Sequence, residues 1–398
     1  MHVWRVIIGE RIEKEDTMKQ KHNTADVSKL VDDILEEAVT SRASDIHFEP
    51  TSRNLQIKFR LDGQLKIVDE LPKNISDNVI ARLKVIGGLL TYRNDIPQEG
   101  RITASPDPTM ETSVTDKRIA VFPTIHGQRA VIRVFYEDAS LMSLDQLGFS
   151  EYILSNLKDI ASRNQGVLLL TGPAGSGKST TLAAILRHIL AQYAGRSIVA
   201  LEDPVERDIE GVTQVQVADT GDMTFPVALR SLLRQDPQVL MIGEIRDAET
   251  ARIAIEAGLT GHLLMSTMHS GSPSGALLRL LEMQIEPYQV TSSISGVLNQ
   301  RLVRRLCENC KKQVDDTTHF QAAGCEECLD TGYSGRVLIS EMIMMDGELR
   351  KAILEKSDID QLDAILKNRG HMNMAHDGQR LVAKGITTQQ EVQTVCGL

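Results

Sequence analysis

The chain is poor in aromatic side chains, which make up 4% of its 398 residues, with a single tryptophan. Proteins that hold nucleic acid on stacking platforms depend on such rings, so that class is disfavoured. Positive charge is also in deficit. Lys and Arg number 44 against 54 Asp and Glu, for a net charge of −10 and a pI near 5.6. A general polyanion binder needs the opposite balance, which leaves only a local basic patch for that role. No apolar run reaches the roughly 18 residues that a membrane-spanning helix needs. Met1 to Gly9 lacks the layout of a secretory signal. The expectation is a cytoplasmic protein whose membrane contact is peripheral or made through a partner. The five cysteines of such a chain point to metal or chemistry before disulfides.

What is present suits a packed protein of two or three domains, with 41% hydrophobic and 25% charged residues. Residues 1–24 read as an arm or linker. Val27 to Ser41 carries an apolar stripe at Val27, Leu30, Val31, Ile34, Leu35, Ala38 and Val39, the spacing of an amphipathic helix. Strands are expected at Asp45–Glu49, Leu55–Leu61 and Gln64–Val68, with a hairpin turn at Asp62-Gly63. A helix over Ile75–Leu90, weakened at its end by Gly87-Gly88, a loop over 104–116 and strands at Lys117–Phe122 and Arg129–Tyr136 complete an α+β domain, 25–138. Residues 139–147 read as a linker.

From 148 to 398 the pattern changes to short apolar strands alternating with helices, the mark of a parallel α/β sheet. The strands are expected at Gly166–Thr171, Ser197–Leu201, Val239–Gly243 and His262–Thr267. Gly172-Pro173-Ala174-Gly175-Ser176-Gly177-Lys178-Ser179 follows the first of them and fits G-x-x-x-x-G-K-[ST]. Its glycines let backbone N–H groups turn inward and cup phosphate oxygens. Lys178 supplies a point charge, Ser179 offers a hydroxyl to Mg²⁺, and Thr180 opens a helix. Past the other strands stand Glu202-Asp203-Pro204-Val205-Glu206, Gly243-Glu244-Ile245-Arg246-Asp247, and Thr267 with His269. In an open parallel sheet those ends converge on a ligand crevice. ATP hydrolysis needs a held metal, a group that positions water and positive charge for the transition state, which such residues can supply. The plainer reading is that these acids cap helices or pair with Arg246.

Cys307-x2-Cys310 and Cys325-x2-Cys328 are separated by fourteen residues. Two such knuckles can place four thiolates around Zn²⁺, and a set of four sulfurs leaves no open position, so the metal is expected to be structural. His319 is not needed as a ligand, and Cys396 is left over. Helices are expected at Glu348–Glu355, Ile359–Arg369 and within Met372–Leu398. Arg301, Arg304 and Arg305 form a basic cluster that reads equally as a subunit interface or a solvated helix face.

These stretches carry a resemblance to the secretion ATPases that power type II secretion and type IV pilus assembly. Besides the phosphate loop, the aspartate box Ile198 to Glu206 looks alike, as do the Walker B region Leu232 to Asp247, the histidine box Gly261 to His269, and Gln300 to Cys307. Arg42 to Pro50 and Ile96 to Arg101 also match. The resemblance implies a RecA-like phosphate-loop domain over 148–398, with a zinc module at about 305–335 and closing helices over 346–398. A smaller α+β, PAS-like domain would precede it. It further implies a homo-hexamer that hydrolyses ATP with Mg²⁺ and docks peripherally on an inner-membrane platform protein, with no direct nucleic-acid partner. Pilus retraction is the near alternative, and a nucleic-acid-translocating ring the remoter one. By the same resemblance Lys178 and Ser179 bind phosphate and Mg²⁺, and Glu206 activates water. Glu244 supports metal and water, His269 senses the γ-phosphate, and Arg118 and Arg133 reach ATP from a neighbouring subunit. The four cysteines match assembly-type members. Ala174 stands where threonine is usual, and Ser270-Gly271 where Thr-Asn is usual.

Overall fold

A computed structural model describes residues 27–102, 112–138, 141–217, 222–314 and 319–397. The arm expected at 1–24 lies outside them. The chain divides into two compact units, 1–139 and 140–398.

The first unit is built from α1 (Val27–Thr40), β1 (Asp45–Pro50), β2 (Asn54–Leu61), β3 (Gln64–Pro72), α2 (Lys73–Ile86), β4 (Gln98–Ile102), β5 (Thr112–Thr124) and β6 (Gly127–Asp138). Its sheet runs β3-β2-β1-β6-β5-β4 and is antiparallel throughout. The stripe of α1 buries Val31, Ile34, Leu35 and Ala38, and alternation along β2 buries Leu55, Ile57 and Phe59. These meet Val79 and Leu83 of α2 in one core. Asp62 and Gly63 take φ of +48° and +91°, which a two-residue primed turn requires at both positions.

Three expectations change here. α2 stops at Ile86 rather than Leu90, because Gly88 turns left-handed with φ of +67°. β5 begins at Thr112, so the last residues of the loop expected over 104–116 are strand; 103–111 lie outside the described residues. β4 was not expected at all, since most of its residues are polar and only Ile102 is buried.

The second unit holds α3 (Glu151–Ser162), β7 (Gly166–Thr171), α4 (Lys178–Gln192), β8 (Ile198–Glu202), β9 (Thr213–Gln216), α5 (Phe225–Leu232), β10 (Val239–Ile242), α6 (Ala248–Leu259), β11 (Leu263–Met268), α7 (Pro273–Glu282) and α8 (Pro287–Ser293). It continues with β12 (Ile294–Leu306), β13 (Lys312–Gln313), β14 (Phe320–Gln321), β15 (Tyr333–Met344), α9 (Gly347–Leu354), α10 (Ile359–Asn368), α11 (Met374–Ala383) and α12 (Gln389–Cys396). The main sheet runs β15-β12-β7-β11-β10-β8-β9. It is parallel from β12 to β9, and β15 closes one edge antiparallel to β12. Val167 and Leu169 enter the core on one face, Leu168 and Leu170 the core on the other. Burial on both faces explains why these strands read as continuous apolar runs. The four expected strands are therefore the centre of a seven-stranded mixed sheet. Among the described residues no helix is long and apolar enough to cross a membrane.

Gly100 on β4 passes close to the end of α2. A Cβ there would stand 2.2 Å from the Gly87 carbonyl oxygen and 2.7 Å from Leu89 Cδ2. Backbone cannot yield as a side-chain tip can. Gly100→Ala is expected to destabilise the first unit by about 1–3 kcal/mol, read as earlier urea unfolding of that unit.

Candidate nucleotide site and metal centre

β7 is buried along its whole length. The chain leaves it through Gly172, Gly175 and Gly177, with φ of +139°, +73° and +88°. Side-chain-bearing residues rarely adopt such values, so the glycines let the loop curl. α4 starts at Lys178 directly after the curl, which turns its first N–H groups toward an anion held in the loop. Lys178 Nζ donates to the carbonyls of Gly172 at 2.9 Å and Pro173 at 3.0 Å. Burial lowers the Lys178 pKa, while the charges of Glu244 and Glu206 work to raise it. Both acids therefore stand within electrostatic reach of the ammonium.

The other strand ends are laced together. Gly243 N–H donates to the Leu201 carbonyl at 2.7 Å, and Thr267 Oγ1 donates to the Gly243 carbonyl at 2.7 Å. Glu244 projects from this junction. One of its oxygens stands 3.0 Å from His269 Nε2, and the other accepts from Arg246 Nε at 2.9 Å. The expected pairing of an acid with Arg246 thus occurs, and it does not remove Glu244 from the loop's vicinity. Ser179, Glu202, Glu206, Arg207 and Gly243 line one open cleft of about 370 Å³. Hydroxyl and carboxylate oxygens in one cleft form the hard donor set that Mg²⁺ takes. Thr180 follows on α4, and Ala174 lies exposed at the loop's tip.

The four cysteine sulfurs lie within 4.8 Å of one another. Cys307 and Cys325 are 3.8 Å apart, Cys310 and Cys328 3.8 Å, and Cys325 and Cys328 3.7 Å. Sulfurs about 2.3 Å from a central zinc ion stand about 3.8 Å apart at the corners of a tetrahedron, so the residues fit that ion. The distances are far too long for disulfides. Among the described residues this is the cluster able to hold a metal, and His319 is not part of it.

A family model described as type II/IV secretion system protein matches residues 20–394. The chain belongs to this family. It is 37% identical over 403 residues to the type II secretion system ATPase E of Vibrio cholerae, covering 98% of this chain and 79% of that one. It is 38% identical over 382 residues to the type IV pilus assembly ATPase PilB of Thermus thermophilus, covering 92% of this chain but 42% of that one. The chain therefore spans less than half of the PilB relative and about four-fifths of the secretion one. Among solved structures, the Legionella pneumophila ATPase DotB matches with a TM-score of 0.69 at 22% identity, covering 94% of this chain and 97% of that one. The pilus retraction motor PilT with bound ADP gives 0.61 at 23%, covering 91% and 95%. These likenesses establish a shared fold.

In this family member Lys178, Ser179, Glu206, Glu244 and His269 all lie in the second unit. Arg118 and Arg133 lie in the first, as direct partners across β5 and β6. Their tips are not simply solvated: Arg118 pairs with Asp116 at 3.2 Å and Arg133 with Asp45 at 3.1 Å. The cluster at 301–305 is strand rather than helix. Arg301 donates to the Val395 carbonyl. Arg304 grips Glu391 through two nitrogens, at 3.0 and 2.6 Å. Arg305 pairs with Glu308 at 3.6 Å. Arg301 and Arg304 are thus tied to the C-terminal helix, which overturns the solvated helix face.

Glu202 was passed over as a site residue. Burial holds its carboxyl above the usual range, opposed by a hydrogen bond from Gln214, with Glu206 pushing it further up. Its place at the last residue of β8 was the available signal. Gln300 opened one of the resembling stretches without a role of its own, and Asn299 carried no signal, because its partners Gly271 and Glu341 are remote in sequence.

The cysteine module is fastened to the C-terminal helices. Leu306 N–H donates to the Ile386 carbonyl at 2.8 Å, Lys311 Nζ to the Gly385 carbonyl at 3.3 Å, and Tyr333 Oη lies 3.0 Å from Thr388 Oγ1. Purified protein is expected to carry about one zinc ion per chain by mass spectrometry. Cys310→Ser should lose it, lower the melting temperature, and speed amide exchange both at 307–332 and in α11 and α12.

Proposed function

We propose that this chain is the subunit of an ATP-hydrolysing ring that powers assembly of a type IV pilus or a type II secretion pseudopilus. The observation that carries this reading is the glycine loop that runs from the buried β7 straight into α4 at Lys178, in the same sheet whose β10 leads to Glu244 beside His269. A cation that holds phosphate and carboxylates that handle water and metal are the parts a phosphoryl-transfer site needs. The relatives named as pilus assembly and secretion ATPases support the substrate and the work done.

In this reading the backbone from Gly172 to Gly177 cradles the phosphates of ATP, and Thr180 flanks it. Lys178 leaves the carbonyls it now holds and bonds the β- and γ-oxygens. Ser179 and Glu244 would hold Mg²⁺, which when bound would polarise the phosphate oxygens. Glu206, exposed in the cleft, takes a proton from the attacking water. His269, braced by Glu244, faces the γ-phosphate. Arg118 and Arg133 add positive charge from the first unit of a neighbouring copy in a homo-hexamer. The first unit, read as PAS-like over 25–138, would move against a RecA-like unit over 148–398 through the joint at 139–147. The ring would sit peripherally at the cytoplasmic face of the inner membrane on a platform protein. The four-cysteine cluster supports an assembly motor over a retraction motor, and the acidic balance speaks against nucleic acid as cargo.

Glu206→Gln is expected to bind ATP as the wild type does and to lose at least about 100-fold in phosphate release. Lys178→Ala should lose binding itself. Phosphate release at the wild-type rate from Glu206→Gln would sink the assignment. The arginine proposal has its own check. Assemblies of Arg133→Ala alone and of Glu206→Gln alone should be inactive, and mixing the two chains should restore part of the turnover. That recovery requires an arginine supplied in trans.

A further inference from the structure

β12 lies beside β7 and carries two buried amides in succession, Asn299 at 1% exposure and Gln300 at 0%. Successive side chains of a strand face opposite ways, and these two reach different loops. Gln300 Nε2 donates to the Ser176 carbonyl at 2.9 Å, inside the phosphate loop. Asn299 Nδ2 donates to the Gly271 carbonyl at 3.0 Å, two residues beyond His269. It also donates to Glu341 Oε1 at 3.0 Å, and the other Glu341 oxygen accepts from Met374 N–H at 3.1 Å.

The fit around both amides is close. A Cβ on Gly172 would stand 2.3 Å from the Gln300 carbonyl oxygen, so the phosphate loop lies directly against the strand. The turn after His269 is held at one end by the contact of His269 with Glu244 and at the other by Ser272, whose hydroxyl accepts from Gly275 N–H at the start of α7. Between them Ser270 Oγ donates to the Ser272 carbonyl, and Asn299 supplies the tie to β12. Gly271 brings no side chain, and an added Cβ would touch nothing within 4 Å. Meanwhile Asn299 Oδ1 and Gln300 Oε1 are both buried with no hydrogen-bond partner among the described residues. A half-satisfied buried amide costs free energy that an apolar side chain would not. The donor halves must then serve a purpose beyond filling space.

We propose that Asn299 and Gln300 are positioning residues that set the spacing between the phosphate loop and the histidine turn. One strand holds both, so Lys178 and the Glu244–His269 pair meet the same triphosphate. This rests on the ATPase reading above.

The test is ATP turnover, fluorescent-ATP binding and amide exchange on full-length Asn299→Ala and Gln300→Ala. Asn299→Ala should lower kcat about tenfold or more, keep nucleotide Kd within about twofold, and speed exchange at 269–272. Gln300→Ala should instead raise Kd and KM about fivefold or more, since it frees the phosphate cup. Should Asn299→Ala not fold, Asn299→Ser reads the same quantity, because its hydroxyl is too short to reach Gly271. Wild-type kcat in the Asn299 variant overturns the proposal. So does a parallel loss of kcat, affinity and melting temperature in both variants, which marks a merely structural role. A wild-type chain that cleaves no ATP sinks the ATPase reading instead, and unchanged exchange at 269–272 in the Asn299 variant would still overturn the tie.

Discussion

Parallel strands all finish at the same edge of their sheet, because each crossover returns the chain to the starting edge. The candidate site follows from that constraint. β7, β10 and β11 are buried from end to end, and β8 is buried up to its last residue, Glu202. Apolar runs of this kind stop where the sheet stops. The first residues free to be polar are then Gly172, Glu202, Gly243-Glu244 and His269, and all lie at one edge. An antiparallel arrangement of the same strands would have sent alternate groups to opposite edges. The register of the ladders, with Ile242 beside Leu201 and Ser266, aligns the ends to within two residues.

The site's charges answer one another. Lys178 is withdrawn onto two carbonyls of its own loop. Glu244 is flanked by Arg246 and His269. These bonds satisfy groups that would otherwise be poorly solvated, and each is weak enough to be exchanged. A bound phosphate offers Lys178 a charged acceptor in place of neutral carbonyls, and charge-assisted bonds are the stronger kind. On the proposed reading, phosphate binding would exchange these bonds for charge-assisted ones.

What could be read from the sequence was local. The stripe of α1, the turn at Asp62-Gly63, the glycine loop and the paired cysteine knuckles each announce themselves within a few residues. So did the order of strands and helices that implies a parallel sheet. What escaped depends on partners far along the chain. β4 is mostly polar, and it is a strand because β5 pairs with it. Arg301 and Arg304 are bound by residues about ninety positions away. Asn299 looked like an ordinary polar residue beside the conspicuous Gln300-Arg301 stretch, because Gly271 and Glu341 come to it only through the sheet. Glu202 was visible but overshadowed by the other acids of its box.

The C-terminal third answers a different physical difficulty. The stretch from Cys307 to Gly332 is too short to bury a core of its own, and four sulfurs at tetrahedral spacing can supply the cross-link that apolar burial cannot. Arg304 and Glu391 are also largely removed from water, at 18% and 9% exposure. Burying two charges is costly unless every lone pair and proton is used. Here Glu391 accepts from two of the three guanidinium nitrogens and from the Arg304 backbone N–H, while the guanidinium lies 4.1 Å from the centre of the Tyr333 ring. Such a pair adds little net stability over an apolar one, but it admits only one placement of α12 against β12. The same strand that carries Asn299 and Gln300 to the phosphate loop and the histidine turn thus carries Arg301 and Arg304 to the closing helices, and it leads directly into Cys307 of the four-cysteine cluster. β12 pairs with β7 from Ile294 to Asn299 and with β15 from Gly296 to Leu306, so β15 runs beside both the part that reaches the loops and the part that meets the closing helices. A shift of the closing helices along this strand would be felt at both loops of the site.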